Sequence, residues 1–202
     1  AGIAGVLGTG TVQQIAGVLG LICAACIAYG VFIEPRRLVV RKHRFQITRH
    51  KSVRIVIASD FHVGPFKDAS FVTKVIDRIN TLEPDIVLLP GDFLYDEHSD
   101  IRQLERLRRT RSRHGTFAVT GNHDSGHYHD IRYRPFSSVD RTDDLTAYLR
   151  SLGLTVLRHD GAVIDMPSGP LRIAGIDDVS TDDFGPATTY LRSIADSIPT
   201  IL

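Results

Sequence analysis

The chain has 202 residues, of which 43% are hydrophobic and 23% are charged, and its formal net charge is +1. This composition excludes a disordered chain, and the length suits one ordinary domain with additional segments. The two cysteines, Cys23 and Cys26, both fall in a hydrophobic stretch, so disulfides do not support the rest of the chain. The small net charge hides an uneven distribution, because an uncharged N-terminal segment is followed by an arginine-rich one.

The beginning of the chain predicts a membrane segment, residues 1–34. No charged side chain precedes Glu34. The run Ile15–Ile33 is long enough to cross a hydrocarbon layer about 30 Å thick, whereas a buried core helix of that length usually shows a polar face. We therefore interpret the run as a transmembrane helix. Within it, Cys23 and Cys26 are expected to be small packing residues rather than redox or metal-binding groups.

A basic linker, residues 35–53, follows the membrane segment. Its cations are Arg36, Arg37, Arg41, Lys42, Arg44, Arg49 and Lys51. Cations beside a span favour the cytoplasmic side of a membrane, and they can attract anionic lipid head groups. We expect a cell-membrane protein with one span or more and the following domain on the cytoplasmic face. The alternative is a linker that is merely solvated.

Residues 54–202 predict an α/β domain. Apolar runs predict strands over 54–59, 85–89 and 116–119, and amphipathic stretches predict helices over 68–82 and 100–111. Beyond a loop with His127 and His129, interpreted as surface or substrate-rim residues, the pattern alternates again. It predicts a helix over 142–152, a strand over 154–157, a hairpin of 162–164 with 171–175, a helix over 188–194 and a strand from residue 200.

Each of the first three strands ends in a polar cluster, and the clusters have the chemistry of metal ligands. Asp60 and His62 are two residues apart in an extended segment, so they can hold one ion together. Gly91 permits a sharp turn before Asp92, whose two oxygens can bridge two cations. Residues 121–124, Gly-Asn-His-Asp, add a neutral oxygen and a second histidine. Because strand ends in α/β sheets meet in one crevice, we expect one site that prefers Mn, Fe or Zn.

In order and spacing, these motifs resemble the calcineurin-like metallophosphoesterases, whose pattern is Asp-x-His, Gly-Asp and Gly-Asn-His-Asp. The resemblance covers about residues 54–202. The sequence Ser-Asp-Phe-His-Val-Gly at 59–64 and the sequence Glu-Pro-Arg-Arg at 34–37 are similar to those of the membrane-associated bacterial branch of that superfamily. The implied fold is a four-layer α/β/β/α sandwich, of which this chain would hold the N-terminal part.

The resemblance implies a role for each motif residue. Asp60 and His62 would bind one divalent cation, and Asp92 would bridge it to a second. Asn122 would bind the second cation. His123 would act on the substrate as a catalytic residue, together with the neighbouring carboxylate of Asp124. The implied cofactors are two Mn, Fe or Zn ions.

Three further features qualify the resemblance. Asp177 and Asp178 resemble a Gly-x-Asp-Asp segment of the membrane-associated branch and would shape a substrate pocket; a turn with Asx hydrogen bonds is the alternative. Tyr95 stands where many relatives have Asp, three places after Asp92. Apart from residues 126–129, in the loop that the resemblance does not mark as metal-binding, the chain has no Gly-His-x-His segment, and the later histidine segments of the family are absent. We therefore expect a C-terminally truncated sequence. The resemblance thus assigns activity to the whole protein rather than to these 202 residues.

The predicted function is hydrolysis of a phosphodiester, phosphomonoester or pyrophosphate bond by a water that two metals activate. The membrane makes a lipid-linked nucleotide such as UDP-2,3-diacylglucosamine the most concrete substrate. A nuclease of the same superfamily and a non-catalytic membrane scaffold are the alternatives. The arginine-rich stretch 102–113 could face anionic lipid, a nucleotide diphosphate or nucleic acid, or form an exposed helix face. No aromatic residues are interleaved with it, so no nucleic-acid partner is expected.

Overall fold

The computed structural model describes residues 9–45, 52–129, 135–137, 139–167, 169–178, 184–194 and 197–202. The chain divides into two compact units, Ala1–Lys42 and His43–Leu202. The part of the predicted basic linker that holds Arg49 and Lys51 lies outside the described residues.

Within the described residues, the first unit contains one continuous helical segment. Helix α1, Thr9–Ala28, continues into a π-helical turn, Tyr29–Ile33, and a 3₁₀ turn, Glu34–Arg36. The stretch Gly10–Arg36 is long and apolar enough to cross a membrane, and its most apolar window has a mean hydropathy of 2.3 and is 0% buried. The apolar helix predicted over Ile15–Ile33 is therefore confirmed, and its insertion into a membrane stays a prediction.

The second unit is built on a parallel sheet of four strands in the order β1-β2-β3-β6. The strands are β1 Ile55–Ile57, β2 Ile86–Pro90, β3 Thr116–Val119 and β6 Thr155–Val156. Parallel neighbours need long connections. Helix α2, Ala69–Thr81, connects β1 to β2, and a 3₁₀ helix, Ile101–Arg109, lies between β2 and β3. Helix α3, Thr142–Ser151, lies between β3 and β6. The predicted α/β class is confirmed, and each predicted strand of this sheet is present.

Helix α2 begins where Asp68 caps it. The Asp68 carboxylate accepts hydrogen bonds from the backbone N–H of Ser70 at 3.0 Å and of Phe71 at 3.2 Å. These bonds satisfy two of the N–H groups that a helix start leaves without a partner. The buried face of α2 carries Phe71, Val72, Val75, Ile76 and Ile79.

The helix predicted over 100–111 is present, and it is a 3₁₀ helix, Ile101–Arg109. Its buried residues Leu104 and Leu107 are three apart, and Ile101 packs against the same core. A helix with three residues per turn aligns such a spacing into one apolar stripe. Its arginines lie at the surface beside acids, as in the pair of Arg108 with Glu105 at 3.0 Å. This matches the interpretation of an exposed helix face.

The parallel sheet has an apolar core on each face. Val87 and Ala118 belong to the core that includes residues of α2 and α3, whereas Ile86 and Phe117 belong to the core on the other face. Neighbouring residues of one strand serve opposite faces, as the two-residue period of a strand requires.

A second sheet covers the second core. It has the order β7-β8-β9, with β7 Asp160–Met166, β8 Gly169–Gly175 and β9 Thr200–Ile201. Strands β7 and β8 are the predicted hairpin, longer than the apolar pattern indicated. On helix α4, Gly185–Ser193, the Tyr190 hydroxyl lies where a Cβ on Gly161 of β7 would collide with it. The described residues thus follow the predicted helix, sheet, sheet, helix order.

One small element departs from the prediction. The segment expected to be a loop contains an antiparallel pair, β4 His127–His129 and β5 Pro135–Ser137. Strands of only three residues, here His-Tyr-His and Pro-Phe-Ser, are too short to show the apolar alternation by which strands are recognised in a sequence.

Candidate metal centre

The loops that follow β1 and β2 lie side by side beyond the ends of their strands. The backbone N–H of His62 donates to the carbonyl of Asp92 at 3.0 Å, and that of Val63 donates to the carbonyl of Phe93 at 2.9 Å. These bonds continue the parallel pairing of the strands into the motif residues. The first and second motifs therefore meet at one end of the sheet.

Three of the motif residues have a backbone conformation that residues with a Cβ rarely adopt. The φ angle is 59° at Asp60, 44° at His62 and 56° at Asp92. Asp and His tolerate this left-handed region better than most residues, yet it costs roughly 1–3 kcal/mol and persists only where the surroundings impose it. Such strain clusters at functional sites.

Gly91 and Gly121 allow the second and third loops to touch. A Cβ on Gly91, whose φ is 80°, would lie 2.7 Å from the backbone nitrogen of Gly121. A Cβ on Gly121 would collide with the carboxylate of Asp92. Because both positions lack a Cβ, Asp92 reaches the third loop, where the backbone N–H of His123 donates to its Oδ1 at 3.2 Å.

The side chains of His62, Asp92 and His123 converge. One ligand atom of each lies within 4.8 Å of those of the other two. The two imidazole rings meet edge to face, with centroids 4.4 Å apart and planes at 77°. Nε2 of His62 lies 3.5 Å from Oδ1 of Asp60 and 3.8 Å from Oδ2 of Asp92. Asp60 therefore lies beside the cluster. The extended segment from which this was predicted is absent, because both Asp60 and His62 have a left-handed φ.

Backbone carbonyls determine which nitrogen of each imidazole carries the proton. Nδ1 of His62 lies 3.3 Å from the carbonyl oxygen of Leu94, and Nδ1 of His123 lies 2.8 Å from that of Tyr95. A carbonyl only accepts, so Nδ1 is the donor and the neutral ring presents Nε2 as its acceptor. Burial, and then the nearby imidazole of His123, lowers the pKa of His62. Both effects favour the neutral ring that binds metals.

Asp124 is 0% exposed and ties two loops together through their backbones. Its carboxylate accepts hydrogen bonds from the N–H groups of Leu94 at 2.9 Å, Phe93 at 3.3 Å and Gly121 at 2.9 Å. Burial raises the pKa of Asp124 to about 6, while these three bonds act in the opposite direction. The bonds are those of a residue that holds the second and third loops in place, whereas the sequence suggested a catalytic carboxylate.

Asn122 is held by the hairpin that the sequence did not predict. Its Nδ2 donates to the carbonyl of His127 at 2.8 Å, and the His127 N–H donates back to the carbonyl of Asn122 at 2.8 Å. The side-chain amide nitrogen of Asn122 already donates to the carbonyl of His127. The side-chain amide oxygen of Asn122 is therefore the atom that can bind a cation.

Asp177 and Asp178 follow β8 and line a pocket of about 190 Å³. Asp177 accepts hydrogen bonds from Nε of Arg158 at 2.6 Å and from the Thr120 hydroxyl at 3.3 Å. Asp178 accepts one from the Ser125 hydroxyl at 3.0 Å. Thr120 and Ser125 flank the third motif, so the pocket adjoins the third loop. Arg158 belongs to no sequence motif, and only the tertiary fold reveals its contact.

The donor atoms at the strand ends fit a borderline divalent cation. Within the described residues, the cluster combines imidazole nitrogens with a carboxylate and contains no thiolate. Nitrogen and oxygen donors of this kind suit Mn, Fe or Zn. A cluster of this kind at the carboxyl ends of parallel strands is a candidate site for a divalent cation.

The family follows from a direct comparison. Residues 53–193 match the family described as calcineurin-like phosphoesterase, and the chain belongs to this family. The resemblance drawn from the three motifs is thereby confirmed.

Several curated relatives share this domain. The chain is 29% identical over 157 residues to an uncharacterized metallophosphoesterase of Helicobacter pylori strain J99, a match that covers 75% of this chain and 38% of that protein. It is 30% identical over 131 residues to a transmembrane protein with metallophosphoesterase domain of Danio rerio, which covers 63% and 27%. It is 24% identical over 183 residues to the uncharacterized metallophosphoesterase YkuE of Bacillus subtilis, which covers 83% and 59%. The chain thus spans less than two thirds of each of these relatives.

Proposed function

We propose that the protein hydrolyses a phosphodiester, phosphomonoester or pyrophosphate bond with two divalent cations. The observation that carries the proposal is the convergence of His62 and Asp92, as proposed metal ligands, with His123, as the proposed acid. One nitrogen or oxygen atom of each lies within 4.8 Å of those of the other two. Three separate strand-end loops supply these side chains, and family membership supports the same chemistry. The activity is that of the whole protein, because the chain spans 38% of the Helicobacter pylori relative.

The proposed metal ligands come from all three loops. Asp60 and His62 would hold the first Mn, Fe or Zn ion, Asp92 would contribute to holding both ions, and Asn122 would offer its amide oxygen to the second. When bound, such cations lower the pKa of a water molecule and neutralise charge on phosphoryl oxygens. The chain's own part is to hold neutral imidazole and ionised carboxylate donors at the strand ends.

His123 is the proposed proton donor to the leaving oxygen. Its Nδ1–H bond to the Tyr95 carbonyl at 2.8 Å orients the ring. When Nε2 also carries a proton, that proton is the one that the leaving oxygen receives. Asp124 positions His123 indirectly, because it fixes the turn that begins at Gly121.

The proposed location is the cytoplasmic face of a cell membrane. The apolar segment Gly10–Arg36 supports a span. It ends at the cation Arg36, and Arg37, Arg41, Lys42 and Arg44 follow on the same side. The Danio rerio relative is named a transmembrane protein. A tether of this kind favours a lipid-linked nucleotide such as UDP-2,3-diacylglucosamine as the substrate.

The test uses the full-length protein in lipid nanodiscs. Mn²⁺-dependent hydrolysis of bis(p-nitrophenyl) phosphate and of UDP-2,3-diacylglucosamine is measured for the wild type, for Asp92→Asn and for the matched control Asp77→Asn, a surface carboxylate of α2. We expect Asp92→Asn to lose activity and calorimetric Mn²⁺ binding, and the control to keep both. Unchanged activity in Asp92→Asn would overturn the mechanism. Hydrolysis of oligonucleotides but not of the lipid nucleotide would favour the nuclease alternative.

A further inference from the structure

Two aromatic side chains stand exposed beside the metal centre. Phe66 is 49% exposed and Tyr95 is 40% exposed, and their ring centroids lie 6.0 Å apart with planes at 77°. By contrast, Phe61 and Phe93 of the same two loops are buried and stacked on each other at 5.6 Å. The two loops therefore place one aromatic pair in the core and a second pair at the surface.

The exposed pair borders the proposed catalytic groups. The Tyr95 ring centroid lies 6.4 Å from the imidazole of His62 and 6.4 Å from that of His123. The carbonyl of Tyr95 also orients His123. A group attached to the oxygen that His123 protonates must leave the metal centre past His123, and Tyr95 adjoins that residue.

The position of the Tyr95 ring is built into the fold. A Cβ on Gly64 would lie 2.8 Å from Cβ of Tyr95, so glycine at this position makes room for the side chain. The Tyr95 N–H donates to the carbonyl of Val63 at 3.1 Å, and the Gly64 N–H donates to the carbonyl of Lys67 at 2.8 Å, which closes the turn that carries Phe66. The backbone that carries both rings is therefore ordered before a ligand binds, which lowers the cost of ordering this part of the site.

We propose that Phe66 and Tyr95, here named the aromatic shelf, bind a flat aromatic ring in the leaving group of the phosphate ester, either a nucleobase or an aryl group. The proposal rests on the proposed function, because the metal centre must hold the phosphoryl group. Two rings at 77° form a corner in which a third ring stacks on one face and meets the edge of the other. A saturated ring of similar size has no π face to stack.

The test measures binding of phosphonates, whose carbon–phosphorus bond is not hydrolysed. In the full-length protein with Mn²⁺, calorimetry compares phenylphosphonate, cyclohexylphosphonate and methylphosphonate. We expect phenylphosphonate to bind about five- to tenfold more tightly than cyclohexylphosphonate, as aromatic pairing predicts. The ratio of the cyclohexylphosphonate to the phenylphosphonate dissociation constant should fall to about one in the double variant Phe66→Leu/Tyr95→Leu. It should stay high in Tyr95→Phe, which keeps the ring. Phe184→Leu, which removes a ring that is 54% exposed elsewhere, is the matched control and should keep it.

The outcomes separate the shelf from the metal centre. If methylphosphonate binds but the two ring compounds bind equally well, the shelf is wrong and the proposed function stands. If none of the three phosphonates binds with Mn²⁺ present, both are wrong. UMP against ribose 5-phosphate distinguishes the two ring sources, since tighter binding of UMP indicates a nucleobase. Equal binding of this pair, with the phenyl preference retained, indicates an aryl group.

Discussion

Nδ1 of His123 lies 2.8 Å from the carbonyl oxygen of Tyr95, so a residue of the second loop orients a residue of the third. The bond places the proton of the neutral ring on Nδ1 and leaves Nε2 for the site. The part of Tyr95 in orienting His123 comes from its backbone carbonyl, which any residue at this position would supply.

His123→Ala should lower kcat by about 10²–10⁴-fold, the range for loss of a general acid. The loss should be larger for an alkyl leaving group than for p-nitrophenolate, because the poorer leaving group needs the proton more. Steady-state kinetics on a methyl and a p-nitrophenyl phosphodiester measure the difference. His98→Ala, which removes an exposed imidazole outside the site, is the control. Equal losses on both substrates would show that His123 does not act as the acid.

Asp124→Ala should destabilise the second unit strongly. It leaves the N–H groups of Phe93, Leu94 and Gly121 without their acceptor, and each buried donor without a partner costs about 1–3 kcal/mol. We therefore expect the free energy of unfolding to fall by about 3 kcal/mol or more, measured by urea unfolding. Asp144→Ala, at a side chain that is 77% exposed, should change it by less than about 0.5 kcal/mol. Similar midpoints for both variants would contradict this role of Asp124.

Gly121→Ala should weaken metal binding, because the added Cβ collides with the Asp92 carboxylate. We expect an Mn²⁺ dissociation constant raised at least about tenfold, which is about 1.4 kcal/mol. Isothermal titration of the full-length protein measures it. Gly17→Ala is the matched control, since a Cβ at that helical glycine meets nothing within 4 Å. An unchanged affinity in Gly121→Ala would mean that the Asp92 carboxylate is not needed where the structure places it.

Asp68→Ala should cost about 1 kcal/mol of stability near neutral pH through loss of the cap of α2. Hydrogen bonds from the Ser70 side chain and then the Phe71 N–H hold the pKa of Asp68 below its usual value. A lowered pKa in the folded state means that the stabilisation is present above the unfolded pKa of about 3.9 and is lost as pH falls through the folded one. The difference in stability between wild type and Asp68→Ala should therefore become smaller as the pH is lowered into the acid range.

Asp68→Asn provides the control for that pH dependence. Asn caps helices about as well as Asp but does not titrate, so its advantage over Ala should stay constant with pH. Thermal unfolding between neutral pH and pH 3 measures all three proteins. A gap between wild type and Asp68→Ala that is constant over this range would refute the link between the cap and the carboxylate charge.

Some parts of the fold could be predicted from the sequence because their signal is local. The apolar runs around Val87 and Phe117 identify strands, and the spacing from Phe71 to Ile79 identifies α2. The three motifs follow strands, so their meeting at one end of a parallel sheet was foreseeable. The type of the helix at 101–109 could not be predicted from the sequence, because the spacing of Leu104 and Leu107 fits both an α-helix and a 3₁₀ helix.

Other parts depend on contacts between distant residues. Tertiary packing brings Arg158 to Asp177 and His127 to Asn122, where each pair forms a hydrogen bond. No sequence pattern marks these contacts. Sequence adjacency made Asp124 a candidate partner of His123, but burial decides what a carboxylate can reach. Its observed bonds go to backbone N–H groups of two loops.

The bonds of Asp124 also bear on local opening of the protein. The amides of Leu94 and Gly121 share one carboxylate, although they lie in different loops. An opening that frees one amide removes the support of the other, so both should exchange with deuterium in the same opening event. The candidate site would then be lost as a unit, with the second and third loops released together.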